Sequence, residues 1–451
     1  MKKTYYESGT LKSEGAWEGE KRIGEWKNYF ESGVLGVLGN FKEGEPHGIW
    51  EEYYPNSQLK KSGSFLEGQT HGEVKGYWEN GQLNYVEHYI NGIYFGEQRY
   101  FYKTGELKSS ENYEDGQRHG GLLEYYETGQ LKTSEWYVDG VEDSISINHY
   151  PNGEVRLQGV WDAGKRIGEW KAYHDNGQIE VIKHYTEEGE EDGEWTYYYK
   201  SGKKLGSANY VEGERDGDWV GYFENGHLKS IERYNRGKEN GDWTYYHEND
   251  TLMGSGKWID GKREGVWTEY YENGNFKTSA SFGKGIPEGA SFEFFEDGKP
   301  HTTTEWENGR QNGPFKEFHP NGELKTEGTL KNGKQEGGWR ELYDNGEIAS
   351  IGNYIDGEKN GAWSFHDRNG KRTDLGTYSL GLKSGVWTTY NSETSGIESE
   401  ETYLNGKKDG YCVYYHKNDQ VHKSGYYHED AQLGDWKEFD TNGKLIKTTT
   451  F

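Results

Sequence analysis

Apolar and aromatic residues along this chain fall in short runs of alternating character, each cut off by glycine. Turn glycines stand at Gly81, Gly105, Gly129, Gly153 and Gly177, then at Gly202, Gly226, Gly274, Gly298, Gly322, Gly346 and Gly370. The step is 24 residues, with one of 25 before Gly202 and Asp250 in place of one glycine. A second series, running from Gly116 to Gly357, follows the first by eleven or twelve residues. Counted from the residue two before the Trp position, the unit reads G-x-W-x-x-Y-Y-x-N-G-x-L-K-x-x-x-x-Y-x-x-G-x-x-x. Gly265 to Glu288 spells it almost cleanly. Such fixed periodicity is the mark of a repeat architecture.

Each unit predicts two strands and two turns. Asn-Gly, Asp-Gly or Ser-Gly between aromatic-rich runs is a strong hairpin signal, because these residues tolerate the positive φ of a type I′ turn. With two-residue turns, position 7 pairs with 12, 6 with 13 and 3 with 16. Alternation then sets Trp (3), the second Tyr (7), Leu (12) and Tyr (18) on one face, and position 6 and Lys (13) on the other. Small residues stand where this register needs them. Gly39, Gly63, Gly256, Gly352 and Gly376 oppose Trp26, Trp50, Trp243, Trp339 and Trp363, while Ala208 and Ala280 oppose Trp195 and Trp267. An indole over a small cross-strand partner shields the backbone beneath it.

Nineteen units, with single-residue insertions within Thr186–Glu190 and Ser392–Glu401, account for all 451 residues. The expectation is one tandem-repeat domain over 1–451, without a separate catalytic domain. It is an all-β, elongated, single-layer antiparallel β-meander of about 19 hairpins and about 38 strands, shaped as a twisted ribbon or half-pipe.

Composition agrees with thin sheets. Leu, Ile, Val and Phe make up roughly 16% of the chain, a level typical of disorder. Yet 38 Tyr, 17 Trp and 67 Gly against 7 Pro describe short strands and tight turns. The net charge of −26 disfavours nucleic acid and anionic lipid as partners. No apolar run nears the ~18 residues of a membrane helix. Met1-Lys2-Lys3 runs straight into Thr4-Tyr5-Tyr6-Glu7 without a secretory apolar segment, so the expected location is cytoplasmic. Cys412 is the only cysteine, which removes intramolecular disulfides and thiolate zinc clusters.

The pattern, followed by Y-x-x-G-K, resembles the variant form of the MORN repeat (membrane occupation and recognition nexus). Gly168-Glu169-Trp170 with Asp175-Asn176-Gly177, and Gly337-Gly338-Trp339 with Asp344-Asn345-Gly346, carry it most clearly. The resemblance implies the hairpin meander just described and a scaffold or partner-binding role. It further implies an antitoxin- or immunity-like role, the label often given to bacterial proteins of this variant. Val74, Gln98, Leu122 and Ser146 depart from the Trp position in four successive units, and Ser291, Phe315 and Cys412 depart from it elsewhere. The resemblance brings no catalytic residue.

The aromatic rows read either as the packing core of a thin sheet or as an interaction strip. As partner-binding candidates the sequence offers Trp170, Trp195, Tyr199, Trp219, Phe223, Trp243, Trp267 and Tyr271. His174, His247, His319 and His416 take the second Tyr position as rings of similar shape, with no metal role expected. The acidic run Glu187–Glu194 lacks the ligand spacing of a calcium loop. Serines, histidines and aspartates recur with the repeat at turn and solvent positions, so no enzyme, catalytic residue, metal or cofactor is expected. The function expected is a non-enzymatic scaffold for a protein partner, antitoxin- or immunity-like, with a basic toxin or effector as the kind of partner. The alternatives are a carbohydrate- or choline-binding cell-wall protein and a membrane-associated scaffold.

Overall fold

A computed structural model describes residues 1–451. It is all-β: forty-two strands and no helix. Four of the strands, Gln69–Thr70, Ile93–Tyr94, Lys238–Glu239 and Lys407–Lys408, are two-residue pieces of the strand that follows each. Counting each with its continuation leaves the thirty-eight that the repeat predicts. Contacts divide the chain into two units, Met1–Gly226 and His227–Phe451. Within each, every strand pairs antiparallel with its neighbours in sequence, in one layer. Lys262–Tyr270 pairs with Phe276–Gly283, for example, and that strand with Ile286–Phe294.

The central register is the one the small residues specify. Trp26 pairs with Gly39, Trp50 with Gly63, Trp243 with Gly256, Trp339 with Gly352, Trp363 with Gly376, Trp195 with Ala208 and Trp267 with Ala280.

Two expectations need correction. At the Asn-Gly turn, position 6 pairs with 12 rather than 13, as Tyr270 does with Phe276, and position 7 enters the turn. Tyr271 donates its N–H to the Asn275 carbonyl at 2.9 Å, and Gly274 donates to the Tyr271 carbonyl at 2.9 Å. Only the glycine has positive φ, 85°. This is a three-residue loop with a glycine bulge, not a two-residue type I′ turn. The type I′ geometry belongs to the other turn, where Lys284 and Gly285 have φ of 52° and 83°.

The second correction concerns what the indole covers. Trp363 pairs with Gly376 in register, but its ring lies over Gly352 of the preceding hairpin, where an added Cβ would stand inside the indole. Trp26 over Gly15, Trp50 over Gly39, Trp170 over Gly159 and Trp387 over Gly376 repeat the arrangement. Tryptophan thus joins one repeat to the one before it. Its N–H points the same way: Trp363 Nε1 donates to the Asn353 carbonyl and Trp170 Nε1 to that of Val160, both at 3.1 Å.

Replacing Gly352 by Ala is predicted to displace Trp363 and cost roughly 1–3 kcal/mol, the range for overpacking. Denaturant unfolding and faster amide exchange in Ile348–Ile355 would register it. Ala280, already followed by Ser291 at the Trp position, is the built-in comparison that accommodates a methyl.

Candidate functional site

Trp at position 3 and the aromatic at 18 build one face of the sheet as an edge-to-face ladder. Trp17, Trp26, Phe41, Trp50 and Phe65 follow one another with centroids 5.5–6.1 Å apart. Each such contact adds about 0.5–1.5 kcal/mol beyond area burial. Position 23, which the sequence reading left unassigned, lays a cation over the ladder. Arg22 lies 4.6 Å from the Trp26 ring, Arg166 4.5 Å from Trp170, Arg263 4.5 Å from Trp267 and Lys383 4.1 Å from Trp387. Lys359 sits 4.2 Å from Trp363, and burial pulls its amine below the usual lysine range.

None of the eight aromatic candidates is exposed. Trp170, Trp195 and Trp243 are buried in the ladder; Trp219 and Trp267 are half-buried, with Arg215 and Arg263 over their rings. Tyr199, Phe223 and Tyr271 lie instead at the turn edge. There the Tyr199 hydroxyl donates to the Tyr222 carbonyl at 2.8 Å and that of Tyr271 to Phe294 at 2.9 Å. The histidines at this position bond in the same way. His174, His247, His319 and His416 set Nε2 2.9–3.2 Å from the equivalent carbonyl of the next hairpin, which requires the Nε2-protonated ring. The turn asparagine adds a second link, as Asn273 Nδ2 donates to the Glu296 carbonyl at 2.8 Å.

The four-unit departure is a second packing solution rather than a gap. Val74, Gln98, Leu122 and Ser146 are all buried. Before the last three, the small residue at position 16 becomes Glu87, Glu111 or Glu135, and Glu401 does the same before Cys412. Tyrosines hold these carboxylates. Glu87 accepts from Tyr89, Tyr94 and Tyr100 at 2.8, 2.9 and 3.3 Å. Glu401 accepts from Lys408, Tyr414 and Tyr403 at 2.5, 2.6 and 2.7 Å. Gln98 imitates the indole it replaces, donating to the His88 carbonyl at 3.2 Å and accepting from its N–H at 2.7 Å.

The opposite face carries positions 2 and 4. In the first unit it is paved with ion pairs: Lys27–Glu25, Lys75–Glu73, Arg99–Glu97 and Lys171–Glu169, at 2.7, 2.6, 3.6 and 2.6 Å. The paving breaks at Ile49, which is 64% exposed, and over a longer stretch between Glu97 and Glu169. Gly121 pairs there with Trp136, and Ile145 with Val160. Trp136 is the one exposed tryptophan of the 17, at 49%, beside Ile145 at 60% and Val160 at 37%. Sequence periodicity could have found it: a Trp at position 17 fits no row of the repeat.

Nine segments, residues 46–67, 70–91, 96–115, 166–187, 191–212, 215–236, 263–282, 311–332 and 432–451, match the family model described as MORN repeat variant. These segments are MORN-variant repeats. No curated protein matches the chain. Among solved structures, the crystal structure of TcdB2-TccC3-Cdc42 is similar at 10% identity, over 99% of this chain and 30% of that one, with a TM-score of 0.14. The Tc holotoxin pore of Photorhabdus luminescens is similar at 10% identity, over 96% and 28%, with a TM-score of 0.13. The chain spans less than a third of the length of those chains, and TM-scores this low establish no shared architecture.

The Glu401 cluster predicts a pH signature. Burial pushes this carboxyl up, but hydrogen bonds from Lys408, Tyr414 and Tyr403 outweigh burial and hold it below the ordinary Glu value of 4.5. The stabilisation is therefore full above that value and is lost as pH falls through the lower, folded-state value. Glu401→Gln is expected to cost about 1–3 kcal/mol at neutral pH. The difference from the unsubstituted chain should shrink in acid, read as amide exchange in Ile397–Leu404.

Proposed function

We propose that this array of MORN-variant repeats is a non-enzymatic, cytoplasmic scaffold that binds a protein partner at the window formed by Gly121, Trp136, Ile145 and Val160. One observation carries the reading: the only exposed indole stands with two exposed aliphatics where the ion-pair paving stops. An aromatic anchor among apolar neighbours, rimmed by charge, is the composition of a binding hot spot. Preformed strands lose little entropy on docking. A net charge of −26 steers a basic polypeptide toward the surface, raising its rate of encounter. The resemblance to bacterial MORN-variant proteins supports an antitoxin- or immunity-like role, with a basic toxin or effector as the partner held.

Capture from native cells at low salt, followed by affinity measurement on the recovered partner, tests the proposal. Trp136→Ala should weaken binding by about thirtyfold, the scale of a 2 kcal/mol hot spot, with an unchanged circular dichroism spectrum. Undiminished affinity in that variant, or no retained protein at all, contradicts it.

A further inference from the structure

In the His227–Phe451 unit the ion pairs between positions 2 and 4 are absent over fourteen consecutive strands, from Lys262–Tyr270 to Val421–His428. Position 2 there carries Val266, Ala290, Pro314, Gly338, Ala362 and Val386 in successive repeats, none charged. Tyr411 continues the row and meets Tyr426 across the strands, with rings 5.0 Å apart. Opposite the others stand Ser281, Thr329, Asn353, Thr377 and Thr402, with Glu305 the one carboxylate in that row. The larger residues are bare: Val266 is 58% exposed, Val386 54% and Tyr426 55%. Between them, Pro314, Gly338 and Ala362 floor a trough of about 600 Å³, walled by Ile351, Leu375 and the cluster of Lys316 and Arg340 around Glu327.

We propose that this face packs against the same face of a second copy of the chain, about a two-fold axis along the Leu324–Lys331 strand, midway between Pro314 and Gly338. This interface lies elsewhere than the partner window around Trp136 and does not depend on it. Like-charged copies of a −26 chain repel, so contact favours the surface with the fewest carboxylates. A neutral row of valine, alanine, threonine and tyrosine is also what sheet-on-sheet packing interdigitates. About five residues of each of the eleven strands from Lys262–Tyr270 to Leu382–Tyr390, spaced at ~3.4 Å along and ~4.8 Å across, offer roughly 900 Å² per copy. Two copies then bury up to about 1,800 Å², above the ~1,600 Å² of a standard specific interface. The two-fold sets Val266 against Val386 of the second copy at each end. The troughs meet in the middle, where Lys316, Glu327 and Arg340 keep water between the sheets. The isologous arrangement closes at a dimer.

Sedimentation velocity of the full chain at roughly 100 μM, where a micromolar interface is populated, should show a dimer. Val266→Glu with Val386→Glu installs the residue that Glu25, Glu73, Glu97 and Glu169 already hold in the first unit, and should weaken dimerisation at least tenfold. Ile49→Glu, in the same row of the first unit, should leave it unchanged. Mixing the double Glu variant with Val266→Lys/Val386→Lys should restore a dimer, since each Glu then faces a Lys. A monomer at that concentration, a species larger than a dimer, equal loss with Ile49→Glu, or a mixture that stays monomeric would overturn the proposal.

Discussion

An indole lying flat on the glycine of the preceding hairpin is the contact on which the rest of this structure depends. A single-layer sheet has no second layer to bury its side chains against. The protein makes the missing layer from its own largest rings, folded back along the sheet onto residues that have no side chain. Trp363 on Gly352 and Trp387 on Gly376 are not packed within their own repeats but across the boundary between repeats. Stability therefore resides in nearest-neighbour coupling, as in other quasi-one-dimensional arrays. The arginine or lysine at position 23 covers the outer side of the rings, so the aromatic face is finished by cations rather than left bare.

That division of labour gives the two faces different freedoms. On the ladder face, position 16 and the next position 3 act as a pair. Glycine precedes tryptophan in eight repeats, while Lys183, Ala208 and Glu232 precede Trp195, Trp219 and Trp243; where tryptophan gives way to Gln98, Leu122, Ser146 and Cys412, Glu87, Glu111, Glu135 and Glu401 bring a carboxylate that tyrosine hydroxyls can hold. The exchange swaps apolar cover for a hydrogen-bonded network without breaking the strand pairing. The opposite face bears less of the packing, so its composition can vary. It is paved with ion pairs in parts of the first unit, interrupted at Ile49 and around Trp136, and largely free of them over much of the second. A recognition surface built there leaves the ladder intact.

Much of this was legible in the sequence because the repeat sets register through steric necessity. Gly39, Gly63, Gly256, Gly352 and Gly376 could be matched to their cross-strand tryptophans before any coordinates. Three features were not legible. Trp26, Trp50, Trp339 and Trp363 each have a glycine on both sides, so pairing alone does not say which one the ring covers. The Asn-Gly pair at Asn273-Gly274 suits a type I′ turn or a glycine bulge, and the bulge wins because Asn273 then reaches the next hairpin. The choice of Trp170, Trp195 and Trp243 as binding residues followed aromatic abundance. Abundance cannot separate rings in a ladder from a ring on its far side, whereas Trp136, off the repeat, stands alone and exposed.

The direct test of coupling by cover is a double-mutant cycle between Gly376 and Trp387, followed by denaturant unfolding and by amide exchange in Arg372–Ser379. Gly376→Ala should destabilise strongly when Trp387 is present and be nearly neutral beside Trp387→Leu, giving a coupling of about 1–2 kcal/mol. Strictly additive effects would mean that the indole does not rest on the glycine, and the account of how these repeats hold together would fail.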